Sequence, residues 1–125
     1  MHLDHVSIYV HDVQASRQFY DAILLPFGWE MVRDFEDIAV GYGHENYAEF
    51  ALVREKQEIR SAHVAFRVDE QVDVDRLYSL ALEAGANDNG PPGLRPHYHS
   101  CYYAAFVLDP DGHNLEFVCH TATVD

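Results

Sequence analysis

Two histidines and two glutamates fall at matching places in the two halves of this chain, and together they have the chemistry of a metal ligand set. The run His5-Val6-Ser7-Ile8-Tyr9-Val10 reappears as His63-Val64-Ala65-Phe66-Arg67-Val68, and Ala48-Glu49-Phe50 reappears as Leu115-Glu116-Phe117. Imidazole nitrogen and carboxylate oxygen suit a divalent ion such as Zn, Ni, Fe, Mn or Co, with positions left open for water or substrate. A lone His or Glu on a strand is ordinarily a solvated surface residue. Four at repeated positions are not independent accidents, although duplication would also copy a surface residue.

The elements that must position these side chains follow from periodicity. His2 to Val10 alternates as a strand, with Val6, Ile8 and Val10 on one face and His5, Ser7 and Tyr9 on the other. Asp12 reads as the cap of a helix whose apolar stripe is Val13, Ser16, Phe19, Tyr20 and Ile23, stopped by Pro26 and Gly28. Strands are expected over Trp29 to Phe35, Asp37 to Tyr42 and Tyr47 to Val53, with His44-Glu45-Asn46 in a turn. Arg54 to Arg60 reads as a linker. The order then repeats: a strand over Ser61 to Val68, then a helix capped by Asp69 with Val74, Leu77, Leu80, Ala81 and Ala84 facing inward and Gly85 ending it. A rigid loop, Asn89 to Pro96, precedes strands over Tyr102 to Leu108 and Asn114 to His120, which flank the turn Asp109-Pro110-Asp111-Gly112.

The reading is therefore an α+β chain, a single domain over residues 1–125 made of two βαβββ modules, about 1–56 and 57–125. Period two puts His5, Glu49, His63 and Glu116 on the strand faces turned away from the helices. If the modules curl their mixed sheets, those faces can enclose a cleft. Arg67 shares the face of His63, and Arg95 precedes a stretch rich in His and Tyr; either can meet an anionic substrate group. In that stretch His97 and His99 are candidates for proton transfer, and Tyr98 and Tyr102 for substrate contact; packing against a partner explains the same residues equally well. His2, His11, His44, His113 and His120 read as turn, surface or terminal residues.

Composition narrows the classes. With 8 basic against 21 acidic residues the formal charge is −13, the opposite of a nucleic-acid-binding footprint and repelled by anionic membrane surfaces. No apolar run approaches the roughly 20 residues of a membrane span, and no charged-then-apolar leader opens the sequence. Cys101 and Cys119 form no CxxC pattern, so the expected compartment is a reducing cytoplasm, without a cysteine nucleophile or cysteine zinc site.

HLDHVSIYVHDVQASRQFYDAIL, SAHVAFRV and FVLDPDGHNLEFV together resemble the glyoxalase I/bleomycin resistance/dioxygenase family, the vicinal oxygen chelate superfamily, over almost the whole chain. The resemblance implies paired βαβββ modules around a metal cleft, often in a homodimer, with ligands at His5, Glu49, His63 and Glu116. It implies lyase or isomerase chemistry of the glyoxalase I type on a small substrate with neighbouring oxygens, Glu49 or Glu116 moving the proton. An alternative is Fe(II)-dependent extradiol ring cleavage, because His5, His63 and Glu116 also match the triad of those dioxygenases, with His97 or His99 as acid–base partner. A further alternative is a drug-binding protein like those that confer bleomycin resistance, which need no protein-bound metal. Similar glyoxalase I proteins carry, four residues after the first metal His, an Arg that helps hold glutathione; this chain has Tyr9 there.

Overall fold

A computed structural model describes residues 1–123. The chain divides into two compact units, Met1–Arg60 and the part from Ser61 onward, so the expected linker belongs to the first unit. Each unit has one sheet and one helix.

In the first unit β1 (Val6–Val10) leads into α1 (Val13–Leu24) and a short 3-10 turn (Leu25–Phe27), followed by β2 (Glu30–Asp34), β3 (Ala39–His44) and β4 (Tyr47–Arg54). The sheet order is β1-β4-β3-β2, with β1 parallel to β4 and the other pairs antiparallel. Asp12 caps α1 as expected: its carboxylate accepts the Ala15 N–H at 3.1 Å. The buried stripe of α1 is Val13, Ser16, Phe19, Tyr20, Ile23 and Leu24, facing the buried Ile8 and Val10 side of β1. His5, Ser7 and Tyr9 are exposed, so period two holds across this strand. The regular strand begins at Val6, and His5 stands just ahead of it.

The second unit runs β5 (His63–Arg67), α2 (Gln71–Glu83), β6 (Asn87–Asp88), β7 (Gly93–Leu94), β8 (Tyr103–Leu108) and β9 (Asn114–Cys119). Its order is β5-β9-β8-β6, and β7 also pairs with β8. The two units therefore share the βαβββ plan: the first strand lies parallel to the last, inside a mixed sheet. The expected loop is a strand broken in the middle, β6 and β7 pairing with opposite ends of β8. Pro91 and Pro92 lie between them and have no N–H to give the ladder. Helix α2 begins one residue later than expected: Glu70, not Asp69, is the N-cap, and its side chain makes no capping bond. Val74, Leu77 and Ala81 are buried, whereas Leu80 and Ala84 are half-buried. Val64 and Phe66, expected in the core, are also half-buried.

His113 is not the surface turn residue that its position suggests. It is 1% exposed, and its Nδ1 accepts the Ala62 N–H at 2.9 Å. The neighbouring Asp109 is also buried and accepts N–H groups from Asp111 and His113 at 2.9 and 2.8 Å. Ser61 Oγ donates to the Gly112 carbonyl, and Asn114 N–H bonds to the Ala62 carbonyl. The DPDGH turn thus fastens the start of β5 beside β9, which is where His63 meets Glu116. His113→Ala is expected to destabilise the fold by about 2–4 kcal/mol, from an orphaned N–H plus a cavity, measured by urea unfolding. Among the described residues no helix is long and apolar enough to cross a membrane, and both cysteines are free.

Candidate metal centre

In the second unit the structure brings His63 and Glu116 together, with Nε2 3.1 Å from Oε1. Their strands set this up. Glu116 lies opposite Ala65 in the parallel pair, so His63 approaches it diagonally on the same face. The other imidazole nitrogen, Nδ1, lies 3.1 Å from the Asn114 carbonyl. A carbonyl only accepts, so Nδ1 carries the hydrogen. Nε2 of a neutral ring would then present a lone pair to a carboxylate oxygen, which is repulsive. A cation between the two, either a proton on Nε2 or a metal ion, makes the contact favourable. Nδ1–H donated to a backbone carbonyl is also the arrangement that orients metal-ligating histidines. The pair brings together one nitrogen and one oxygen donor of the kinds a divalent metal takes.

Glu116 is 4% exposed. Its second oxygen, Oε2, accepts the hydroxyl of Tyr102. Burial, and then the bond to Glu116, push the Tyr102 phenol up to about 12, so it remains a donor at neutral pH.

The first unit holds two separate pairs. His5 Nδ1 lies 2.6 Å from Asp4 Oδ1, and Tyr47 donates its hydroxyl to the same oxygen. The hydrogen bonds from His5 and Tyr47 hold the Asp4 carboxyl below the usual carboxylate range. The ionised Asp4 claims the Nδ1 hydrogen and leaves the lone pair of the neutral His5 ring on Nε2. Glu49 is half-exposed, and its Oε2 lies 2.6 Å from Nδ1 of His44.

Two structural details distinguish Glu49 from Glu116. Phe50 pairs with Tyr42 and Ala48 with Gly43, so Glu49 is the extra residue of a β-bulge. Gly43 is required there, since a Cβ would stand 1.8 Å from the Tyr47 carbonyl oxygen. The stagger along the first strand also differs. Val6 lies opposite Phe50, whereas Val64 lies opposite Leu115. Glu116 thus falls beside Ala65, beyond His63, while the register continued back by one residue sets Glu49 level with His5. The shift is even, so both glutamates keep the face that period two assigns them.

The remaining candidates are also placed. Arg95 donates to the Pro91 carbonyl at 2.7 Å, and its guanidinium lies 5.6 Å from the Phe106 ring centre, which serves the loop. Arg67 is exposed on β5. His97 and Tyr98 are exposed and packed ring on ring at 4.2 Å. His99 has both nitrogens engaged: Nδ1 accepts the Cys101 N–H at 3.1 Å, and Nε2 meets His120 Nδ1 at 2.8 Å. Among the described residues, no three His, Cys, Asp or Glu side chains gather as a ready metal cage. Asp4 and Tyr47 were not singled out in the sequence, and His44 and His120 read there as turn, surface or terminal residues. A two-residue hairpin turn sets His44 across from Tyr47, and its ring reaches the Glu49 carboxylate.

The family described as Glyoxalase/Bleomycin resistance protein/Dioxygenase superfamily matches residues 2–117. The chain belongs to this superfamily. Among curated proteins none matches it. Solved superfamily structures share the fold. A glyoxalase/bleomycin resistance protein from Albidiferax ferrireducens T118 aligns with a TM-score of 0.77 at 23% identity, covering 93% of this chain and 96% of that one. A glyoxalase/bleomycin resistance protein/dioxygenase family enzyme from Burkholderia phytofirmans PsJN aligns with a TM-score of 0.73 at 24% identity, covering 96% and 99%. Lactoylglutathione lyase from Agrobacterium tumefaciens aligns with a TM-score of 0.73 at 17% identity, covering 94% and 92%.

Proposed function

We propose that this superfamily member is a divalent-metal-dependent enzyme of the glyoxalase I type, a lyase or isomerase acting on a small substrate with two neighbouring oxygens. Its ligands are His63 and Glu116 from the second unit and His5 and Glu49 from the first. The observation that carries this reading is the His63–Glu116 pair, whose hydrogen-bonding pattern leaves Nε2 and Oε1 to share either a proton or a metal ion. Asp4, orienting His5 through Nδ1, supports it.

When bound, the ion supplies Lewis-acid stabilisation of negative charge that develops on substrate oxygens. The chain's own residues divide the remaining work. Both oxygens of Glu116 are engaged, which suits a ligand better than a base. Glu49 is half-exposed, with one oxygen 2.6 Å from His44 Nδ1, and takes the proton-moving role. Tyr9, in place of an Arg, argues for a substrate other than a glutathione conjugate. A second reading keeps only His5, His63 and Glu116 as ligands, as in an extradiol dioxygenase. It is favoured by the bulge and the His44 partner of Glu49.

Elemental analysis of untagged protein after mild dialysis is expected to find about one Zn, Ni, Fe, Mn or Co per chain. Protein that is metal-free and takes up none of these ions refutes the enzyme reading. We also propose a homodimer, because single sheets leave edges that association covers. Light scattering at 14.3 kDa in dilute buffer refutes that part.

A further inference from the structure

The His- and Tyr-rich segment between β7 and β8 lies outside the ligand set, yet it delivers one hydroxyl to it. Tyr102 donates to Oε2 of Glu116, while Oε1 faces His63 Nε2. The Tyr102 ring is held from several sides. Tyr98 packs on it at 4.7 Å, and His99 and His120 present their rings to it edge to face at 5.3 and 5.2 Å. His99 and His120 stack on each other and share a 2.8 Å hydrogen bond. The direction of that bond is fixed. Nδ1 of His99 accepts the Cys101 N–H, so in the neutral ring Nε2 carries the hydrogen and donates to His120. The backbone adds two bonds, Tyr102 N–H to the His99 carbonyl and Arg95 N–H to the Tyr102 carbonyl. A phenol fixed in this way confines the carboxylate it touches.

We infer that Tyr102 is a positioning residue, clamped by His99 and His120, which occupies Oε2 of Glu116 and leaves Oε1 beside His63 Nε2 as the oxygen offered to a divalent cation. This rests on the metal reading above and gives the His- and Tyr-rich segment a role other than proton transfer. A carboxylate free to rotate or to offer both oxygens would pay ordering entropy on binding; one held by a fixed phenol has paid it already. Outer partners of this kind typically change metal affinity by about 10–100-fold.

The test uses the full chain and Co2+ as probe, following affinity by titration and ligand geometry by the visible d–d bands. Tyr102→Phe keeps the ring and its stacking but removes the hydroxyl. It is expected to bind Co2+ about 10-fold or more weakly, with altered bands, as Glu116 gains freedom. His99→Ala, a change away from the carboxylate, is expected to shift affinity and bands in the same direction by a smaller factor. Thermal unfolding checks that both variants fold. Wild-type protein that binds no Co2+ overturns the metal reading and this inference with it. If the wild type binds Co2+ and Tyr102→Phe matches it in affinity and spectrum, the inference alone is overturned. If His99→Ala leaves both readouts unchanged while Tyr102→Phe alters them, the clamp is overturned.

Discussion

His63→Ala is expected to lower affinity for a divalent metal by at least about 100-fold while the fold survives. The two halves of this expectation have separate causes. The imidazole is the nitrogen donor placed against Glu116, at 3.1 Å, and the substitution removes it. Its contribution to the fold is small, because the side chain is 50% exposed and sits on an edge strand. Water can reach the vacated position, and Tyr102 still satisfies the other carboxylate oxygen. The stability loss should therefore be about 1 kcal/mol, below the usual cost of stripping a partner from a fully buried charge. Metal content after dialysis and a thermal unfolding curve measure the two effects. His113→Ala provides the contrast, because it should lower stability much more than it lowers the intrinsic affinity of the folded protein for metal. If His63→Ala retains its metal, the second unit does not hold it as described.

The duplicated plan was legible because its signals are local. The strand alternation at Ile8 and Val10, the stripe of α1 and the Asp12 cap each depend on residues within a few positions of one another, and the structure follows them. What escaped depends on distant or irregular pairing. The turn at His44-Glu45-Asn46 was expected, and Glu45 and Asn46 take positive φ there, 50° and 64°; the bulge at Glu49 was not, because it lies in how β4 pairs with β3. β6 and β7 are too short for any periodicity to register. His113 is buried because its ring accepts an N–H from Ala62, far away in sequence. Tyr102 was placed near substrate by composition alone. Its hydroxyl instead reaches a carboxylate on another strand, which no single-strand pattern reveals.

Glu49→Gln separates the functional readings, and the structure sharpens what each one predicts. The amide keeps the shape and can still meet His44, so the bulge and the fold should be undisturbed. It is a poorer ligand and no base. With four ligands, the substitution is expected to weaken metal binding by about 10-fold or more and to cut turnover by about 100-fold or more, since proton transfer loses its acceptor. With a triad of His5, His63 and Glu116, metal content and any Fe(II)-dependent oxygen uptake should remain close to those of the wild type. In a drug-binding protein neither quantity exists to change, and only affinity for a cationic ligand should fall. The first outcome is expected. Glu49 shares its strand face with the position of His5, and the register continued back from Val6 opposite Phe50 sets the two level. Unchanged metal affinity measured on Glu49→Gln would leave His44 as the natural partner of this carboxylate and remove Glu49 from the ligand set.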